Sequence, residues 1–281
     1  MPLANTRDLL LQAKREKRAV GAFSVSSIDM MLGVLAAAEA LNTPVILQVA
    51  ESRLNVSPLR VLGPAMLAAA RAAKVPAAVH LDHGLTLDCI REALELGFSS
   101  VMIDGSHLPL QENISVTRQV MRMAQPYGAA VEAEIGVVGR TESGGDAPAE
   151  CARPEDAALF ARETGVDALA IAIGNAHGLY PGAPQLRFDV LEEAGRRCDT
   201  PFVLHGGTGL SDEDFCRCVH LGMRKINIAT ATFLAVARAA QGAEDYFDMA
   251  LRMQSAARDV ALHHIRVFGL AKQEGGRENA V

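Results

Sequence analysis

Three short apolar runs in this chain each end in a histidine followed by glycine. They read Ala77-Ala78-Val79-His80-Leu81-Asp82-His83-Gly84, Ala170-Ile171-Ala172-Ile173-Gly174-Asn175-Ala176-His177-Gly178 and Phe202-Val203-Leu204-His205-Gly206-Gly207. A short β-rich apolar run closed by turn formers reads as a buried strand running into a loop. Three such strands ending at one place would unite His83, His177 and His205 as a three-nitrogen metal site. Its fourth position stays open for substrate, as in catalytic zinc sites. Three unrelated core histidines are the plain alternative, which accounts for any one of them but not for the repetition.

These runs belong to an alternation of strand and helix that fills the chain. The pattern predicts strands at 19–25, 44–50, 76–81, 100–104, 129–135, 167–173, 201–205 and 224–228. Amphipathic stretches lie between them, among them 28–41, 87–96 and 154–164. Alternation of this kind predicts parallel β-α-β units. Eight units in 281 residues match a closed (β/α)8 barrel, a single domain over residues 1–281. A doubly wound open sheet is the runner-up, but the glycine-rich turn it usually carries after its first strand is missing. The stretch Gly139 to Cys151 is rich in turn formers, and a mobile, lid-like loop is expected near 139–153. The polar tail 273–281 is expected to be disordered.

In such a barrel the working residues come from the carboxyl ends of the strands and the loops that follow. Those positions carry Asp82 and His83, Asp104-Gly105-Ser106, Glu132 and Glu134, His177-Gly178, and His205. An unpaired buried carboxylate costs several kcal/mol, so this much charge in one layer implies a metal and a substrate. Adjacent strand residues point oppositely, so Asp82 cannot serve in the way His83 does; loop geometry could still place it over the substrate as a proton donor or acceptor. Glu142, in the long loop, is either a general base that arrives on closure or a solvated acid. Gly206-Gly207-Thr208-Gly209 lets backbone N–H groups approach an anion, and Ser211-Asp212-Glu213-Asp214 reads as a capped helix start. Asn227-Ile228-Ala229-Thr230 opens the last helix of the alternation. The turns after strands seven and eight are the recurrent phosphate site of this fold.

Composition narrows the class. Apolar residues make up 49% and charged residues 21%, with 24 Gly and no Trp, the profile of a soluble globular protein with a large aliphatic core. A formal charge of −6 argues against a nucleic-acid face and requires local donors for any anionic substrate. Five scattered cysteines read as reduced thiols in a cytoplasmic protein. Neither a signal pattern nor a membrane span is expected.

The ordered motifs add a resemblance. Val-Gly-Ala-Phe, Leu-Asp-His-Gly, Val-Met-Ile-Asp-Gly-Ser-His-Leu-Pro with Glu112-Asn113-Ile114, Val-Glu-Ala-Glu-Ile-Gly, Gly-Asn-Ala-His-Gly-Leu-Tyr, Leu-His-Gly-Gly-Thr-Gly and Lys-Ile-Asn-Ile-Ala-Thr follow one another along nearly the whole chain. Together they resemble the class II, metal-dependent ketose-bisphosphate aldolases of the fructose- and tagatose-bisphosphate type. The resemblance implies catalytic Zn²⁺ on His83, His177 and His205, with Asp104 and Glu134 at an alternative metal position or a second one for a divalent or monovalent cation. It implies Asp82 as acid/base on the C4 hydroxyl and Glu142 as the loop base for the C3 proton of dihydroxyacetone phosphate. Gly178, Gly206, Gly207, Thr208 and Asn227, Ile228, Ala229 and Thr230 would hold the phosphate end. The implied reaction cleaves a phosphorylated ketose through a metal-stabilised enediolate, in a homo-oligomer, a dimer or tetramer. A Schiff-base route would need a lysine at the end of the sixth strand, and none of Lys14, Lys17, Lys74, Lys225 or Lys272 is there.

Four departures from the family pattern bear on substrate choice. Ser24 and Ser26 stand where asparagine is usual, Arg140 replaces a common loop glycine, Ala50-Glu51-Ser52 replaces Ser-Glu-Gly, and a C-terminal Asp-Pro-Arg is missing. They lie where the aldehyde half would be read. Two other readings stand beside the aldolase. An amidohydrolase-like barrel would want His-x-His at the first strand, where Phe23-Ser24-Val25-Ser26 offers none. A non-catalytic sugar-phosphate-binding barrel or partner subunit would be expected to lose the acid or a ligand, whereas Asp82 and all three histidines are present.

Overall fold

The computed structural model describes residues 3–139, 149–180 and 182–274. Eight parallel strands close into a barrel in sequential order. They are β1 (Val20–Ser24), β2 (Val45–Ala50), β3 (Ala77–Gly84), β4 (Ser100–Ile103), β5 (Ala130–Ile135), β6 (Ala168–Ile171), β7 (Phe202–Leu204) and β8 (Met223–Ile228). The β1–β8 ladder, from Val20 beside Lys225 to Phe23 beside Ile228, completes the closure. The (β/α)8 expectation therefore holds, and the open-sheet alternative does not.

Helices α1 (Thr6–Arg15), α2 (Ile28–Ala40), α3 (Leu59–Ala72), α4 (Leu87–Leu96) and α5 (Leu110–Ala124) precede the long loop. Helices α6 (Pro154–Thr164), α7 (Phe188–Arg197), α8 (Asp212–His220), α9 (Thr230–Ala239) and α10 (Tyr246–Glu274) follow it. The expected start of α8 is a capping box, with Ser211 Oγ accepting from Asp214 N–H while Asp214 accepts from Ser211 N–H. The outermost helices α1 and α10 are not part of the alternation. Helix α1 plugs the amino-terminal end of the barrel, packing Leu9, Leu10 and Ala13 onto Ile46, Ala78, Ala168 and Val203. Helix α10 lies on α2 so closely that a Cβ on Gly33 would fall 2.3 Å from the Gln254 carbonyl oxygen. It includes residues 273 and 274, and the rest of the tail expected to be disordered, 275–281, lies outside the described residues.

Strand period sets what the barrel interior contains. Residues two apart share a face, so Ala78, His80 and Asp82 stack inward on β3, as do Ala130, Glu132 and Glu134 on β5, and Lys225 and Asn227 on β8. Apolar side chains fill the bottom, against α1. Polar ones fill the middle and top, and Gln48, His80, Glu132, Glu134, His205 and Lys225 are all buried. The site is thus continuous with the core.

Candidate metal centre and phosphate cleft

The strand β3 runs three residues beyond its expected end, and its last turn resolves the direction problem at Asp82 and His83. The pairing with β4 shifts register between Leu81 and Gly84, and His83 adopts φ +40°. A non-glycine residue in this region is uncommon and marks a local constraint. The bulge breaks simple alternation, so Asp82 and His83 both reach the carboxyl end of the barrel. Gln48 Nε2 donates to Asp82 Oδ2 at 2.9 Å, and Asn227 Nδ2 donates to Asp82 Oδ1 at 3.1 Å. His83 Nδ1 instead meets Asp104 Oδ2 at 2.8 Å.

The three predicted histidines come together. One ring nitrogen from each of His83, His177 and His205 falls within a 4.8 Å group. His83 Nε2 lies 2.7 Å from His205 Nδ1, while His205 Nε2 meets Glu132 Oε1 at 2.8 Å. Each outer nitrogen therefore faces a carboxylate, the partner that fixes tautomer and ring orientation in metal-bound histidine. If those outer nitrogens carry the protons, two bare lone pairs face one another, and only a cation or an extra proton between them relieves the contact. Burial and then the neighbouring His83 push the His205 imidazole well below its usual range, which favours the neutral, ligating form. For His83 burial acts the same way, but Asp82, Asp104 and Glu134 outweigh it and raise the imidazole well above that range. The donor set and its charge fit a divalent cation.

His83, Asp104 and Glu134 form a second close group. Burial and then Asp104 raise the Glu134 carboxyl well above the ordinary range, and Glu134 Oε2 is buried without a hydrogen-bond partner. Burial also works against the Asp104 carboxylate, yet hydrogen bonds from His83 and Ser106 lower it. A cation shared by all three residues would have to displace the His83–Asp104 bond, so in this arrangement Asp104 orients His83.

Beside the histidines lies a cleft. Its walls are His177, Gly178, Gly206 and Thr208 on one side and Asn227, Ala229 and Thr230 on the other, with Gln48 and Asp82 at its floor. Of the predicted anion-binding residues, Gly207 and Ile228 stand behind the wall, where Ile228 packs into the core; only their backbone could serve. Gly206 has φ +65°, and a Cβ there would fall 2.2 Å from the Ala176 carbonyl oxygen, so a side chain would force the two loops apart. Tyr180 ties the same loops together: its hydroxyl accepts from Ala176 N–H and donates to the Gly206 carbonyl, both at 3.0 Å. Asn175 Nδ2 donates to the His205 carbonyl at 2.9 Å. Thr208 Oγ1 accepts from Ala231 N–H at 3.0 Å, joining the β7 turn to the start of α9.

A family model described as Fructose-bisphosphate aldolase class-II matches residues 4–273. The chain belongs to the class II fructose-bisphosphate aldolase family. Members of this family are lyases, and the family is metal-dependent. It is 38% identical over 245 residues to a fructose-bisphosphate aldolase of Staphylococcus aureus, covering 85% of each chain. It is also 39% identical over 238 residues to a 6-phospho-5-dehydro-2-deoxy-D-gluconate aldolase of Bacillus velezensis, covering 84% of this chain and 82% of that one. The crystal structure of the YdjI aldolase from Escherichia coli K12 superposes with a TM-score of 0.87 at 32% identity, over 96% of this chain and 99% of the other.

Against that family background, the departures separate. Ser24 Oγ accepts from Gln48 Nε2 at 3.2 Å, next to Asp82. Ser26 instead turns toward α2, with its hydroxyl 3.6 Å from Met30 Sδ and its carbonyl accepting from Ser57. Glu51 accepts from Leu85 N–H, Thr86 N–H and the Thr86 hydroxyl, which anchors the loop after His83. The predicted base Glu142, with Arg140, lies outside the described residues. The ends of that loop are held by backbone pairing of Val137 with Glu150 and of Gly139 with Ala176. Sequence reasoning missed Gln48 as part of the site. Its signal was a lone amide inside the apolar strand Val45–Ala50, where an ordinary core would place a hydrophobe.

Proposed function

We propose that this aldolase is zinc-dependent and reversibly cleaves a phosphorylated ketose into dihydroxyacetone phosphate and an aldehyde. The substrate is tagatose or fructose 1,6-bisphosphate or a related sugar phosphate. The observation that carries this reading is the facing pair of His83 and His205 nitrogens, with His177 beside them, at the edge of a cleft walled by small residues and backbone. Zn²⁺ on the three histidines supplies Lewis-acid stabilisation of the negative charge that cleavage of the C3–C4 bond leaves on the ketose fragment. Asp104 and Glu134 lie where a further cation could sit.

The remaining roles fall to the chain itself. Gly178, Gly206, Thr208, Ala229 and Thr230, with the backbone of Gly207 and Ile228, hold the phosphate end near the start of α9, because the amino-terminal end of a helix favours an anion. Asp82 exchanges a proton with the C4 hydroxyl, and Gln48 and Asn227 orient its two oxygens from opposite sides. Glu142 moves the C3 proton of dihydroxyacetone phosphate. No described helix is long and apolar enough to cross a membrane, and all five cysteines are free, which supports a cytoplasmic setting.

The test is a set of phosphoketoses, with 6-phospho-5-dehydro-2-deoxy-D-gluconate included, each incubated with metal-loaded protein. A coupled assay follows dihydroxyacetone phosphate for the ketoses, and product analysis follows the gluconate. Release of dihydroxyacetone phosphate from at least one ketose is expected. Its absence from every one overturns the proposed reaction.

A further inference from the structure

Beneath the histidines lies a lysine that the reaction as described does not use. Lys225 is wholly buried. Its Nζ donates to Asn227 Oδ1 at 2.8 Å and forms an ion pair with Glu132 Oε2 at 2.9 Å. Glu132 Oε1 in turn meets His205 Nε2, and Asn227 Nδ2 reaches Asp82. One ammonium thus stands at the root of two branches. One leads to a histidine of the metal centre and the other to the proposed acid/base. His80, Asp82 and Glu132 form a ligand-like group of their own, but the ammonium already supplies the positive charge there.

We infer that Lys225 is a positioning residue that, through its ion pair with Glu132 and its hydrogen bond to Asn227, sets the direction of the hydrogen bonds made to His205 and to Asp82. An ammonium has donors and no acceptor. It therefore turns Asn227 so that the amide oxygen faces down and the amide NH₂ faces Asp82. It also holds Glu132 as a pure acceptor, so the His205 proton sits on Nε2 and the Nδ1 lone pair faces the metal position. Asn227 Nδ2 lies 3.3 Å from His205 Nε2, the contact that would serve the opposite tautomer. The shorter contact to Glu132, at 2.8 Å, is the one the lysine enforces. This inference rests on the metal reading above.

The polarity can be reversed without changing volume. In Glu132→Gln the single amide oxygen must turn toward Lys225, which presents the NH₂ group to His205 Nε2 and drives the histidine proton to Nδ1. Groups hydrogen-bonded to a metal ligand typically change metal affinity by about 10–100-fold, and a loss of that size is expected for Co²⁺ binding followed by visible absorption. Adding Lys225→Met frees the glutamine to rotate and present its oxygen to His205. The double variant Glu132→Gln/Lys225→Met should therefore bind Co²⁺ more tightly than Glu132→Gln alone. A purely structural role for Lys225 gives the reverse, an added loss, and overturns the inference.

Nitrogen NMR of histidine-labelled wild-type protein decides the matter even if a variant fails to fold. His205 is expected to carry its proton on Nε2, and an Nδ1-protonated His205 overturns the inference. Wild-type protein that binds neither Co²⁺ nor Zn²⁺ would defeat the metal reading itself, and the tautomer would then judge Lys225 separately.

Discussion

His83 Nε2 and His205 Nδ1 lie 2.7 Å apart although 122 residues separate them in the chain. Their opposite nitrogens point at Asp104 and Glu132, so neither ring can turn away without abandoning a carboxylate. When both outer nitrogens carry the protons, the two facing lone pairs repel, and a cation between them is the natural remedy.

Metal removal is the direct consequence. Chelation should abolish turnover and Zn²⁺ should restore it, and His83→Ala, His177→Ala and His205→Ala should each lose bound metal. Activity and metal content measured on the same samples check this. Full turnover by protein shown to be free of metal would end the zinc mechanism.

The two proton transfers should separate. Glu142→Ala should slow exchange between solvent and the C3 hydrogen of dihydroxyacetone phosphate, whereas Asp82→Ala should impair cleavage of the complete ketose far more than that exchange. General acid–base groups contribute about 100- to 10,000-fold, so isotope exchange and cleavage rates will resolve the roles. Unchanged exchange in the Glu142 variant removes it from its role.

Substrate preference should follow Ser24. Its hydroxyl accepts from the same Gln48 amide that bonds Asp82, so the residue here tunes the floor of the cleft. Serine lacks the paired donor and acceptor of asparagine, and a lost polar contact costs about 1–3 kcal/mol with the substrate that used it. Fructose 1,6-bisphosphate is expected to be a poor or secondary substrate, with tagatose 1,6-bisphosphate or another phosphoketose preferred. Ser24→Asn should shift preference toward fructose 1,6-bisphosphate. A wild-type kcat/KM for that sugar above every alternative would refute the claim and leave the aldolase assignment untouched.

Acid stability should depend on His264. Its ring packs among Phe23, Phe215 and Phe268, with Nδ1–H donating to the Val260 carbonyl at 2.8 Å. Burial lowers this imidazole from 6.5 to about 4, against the opposing pull of that carbonyl. The unfolded chain then binds more protons between those values, so the histidine's contribution is intact above pH 6.5 and is lost as pH falls toward 4. The linkage amounts to at most about 3 kcal/mol. Urea unfolding across this window should show a shallower pH dependence for His264→Leu than for wild type, and equal slopes would exclude His264 as the cause.

The barrel and most of its working parts were legible because strand sequences carry their own geometry. Apolar runs of four to eight residues announced the strands, the period of two placed Glu132 with Glu134 on one face, and His-Gly at three strand ends marked where the chains leave the sheet. The capping box at Ser211 was equally local. What the sequence could not express was contact between strands. Asp82 and His83 look opposed by alternation, and only the register shift against β4, with His83 at φ +40°, lets both serve one site. The family resemblance implies Asp104 at a metal position, and only the fold adds its contact with His83 Nδ1. Gln48 was a single polar letter in an apolar strand, and Lys225 one of three polar letters in β8, until barrel closure brought them beneath Asp82 and His205. The reason is physical: hydrophobic period is a property of one segment, whereas the direction of a hydrogen bond depends on which donor another segment delivers to it.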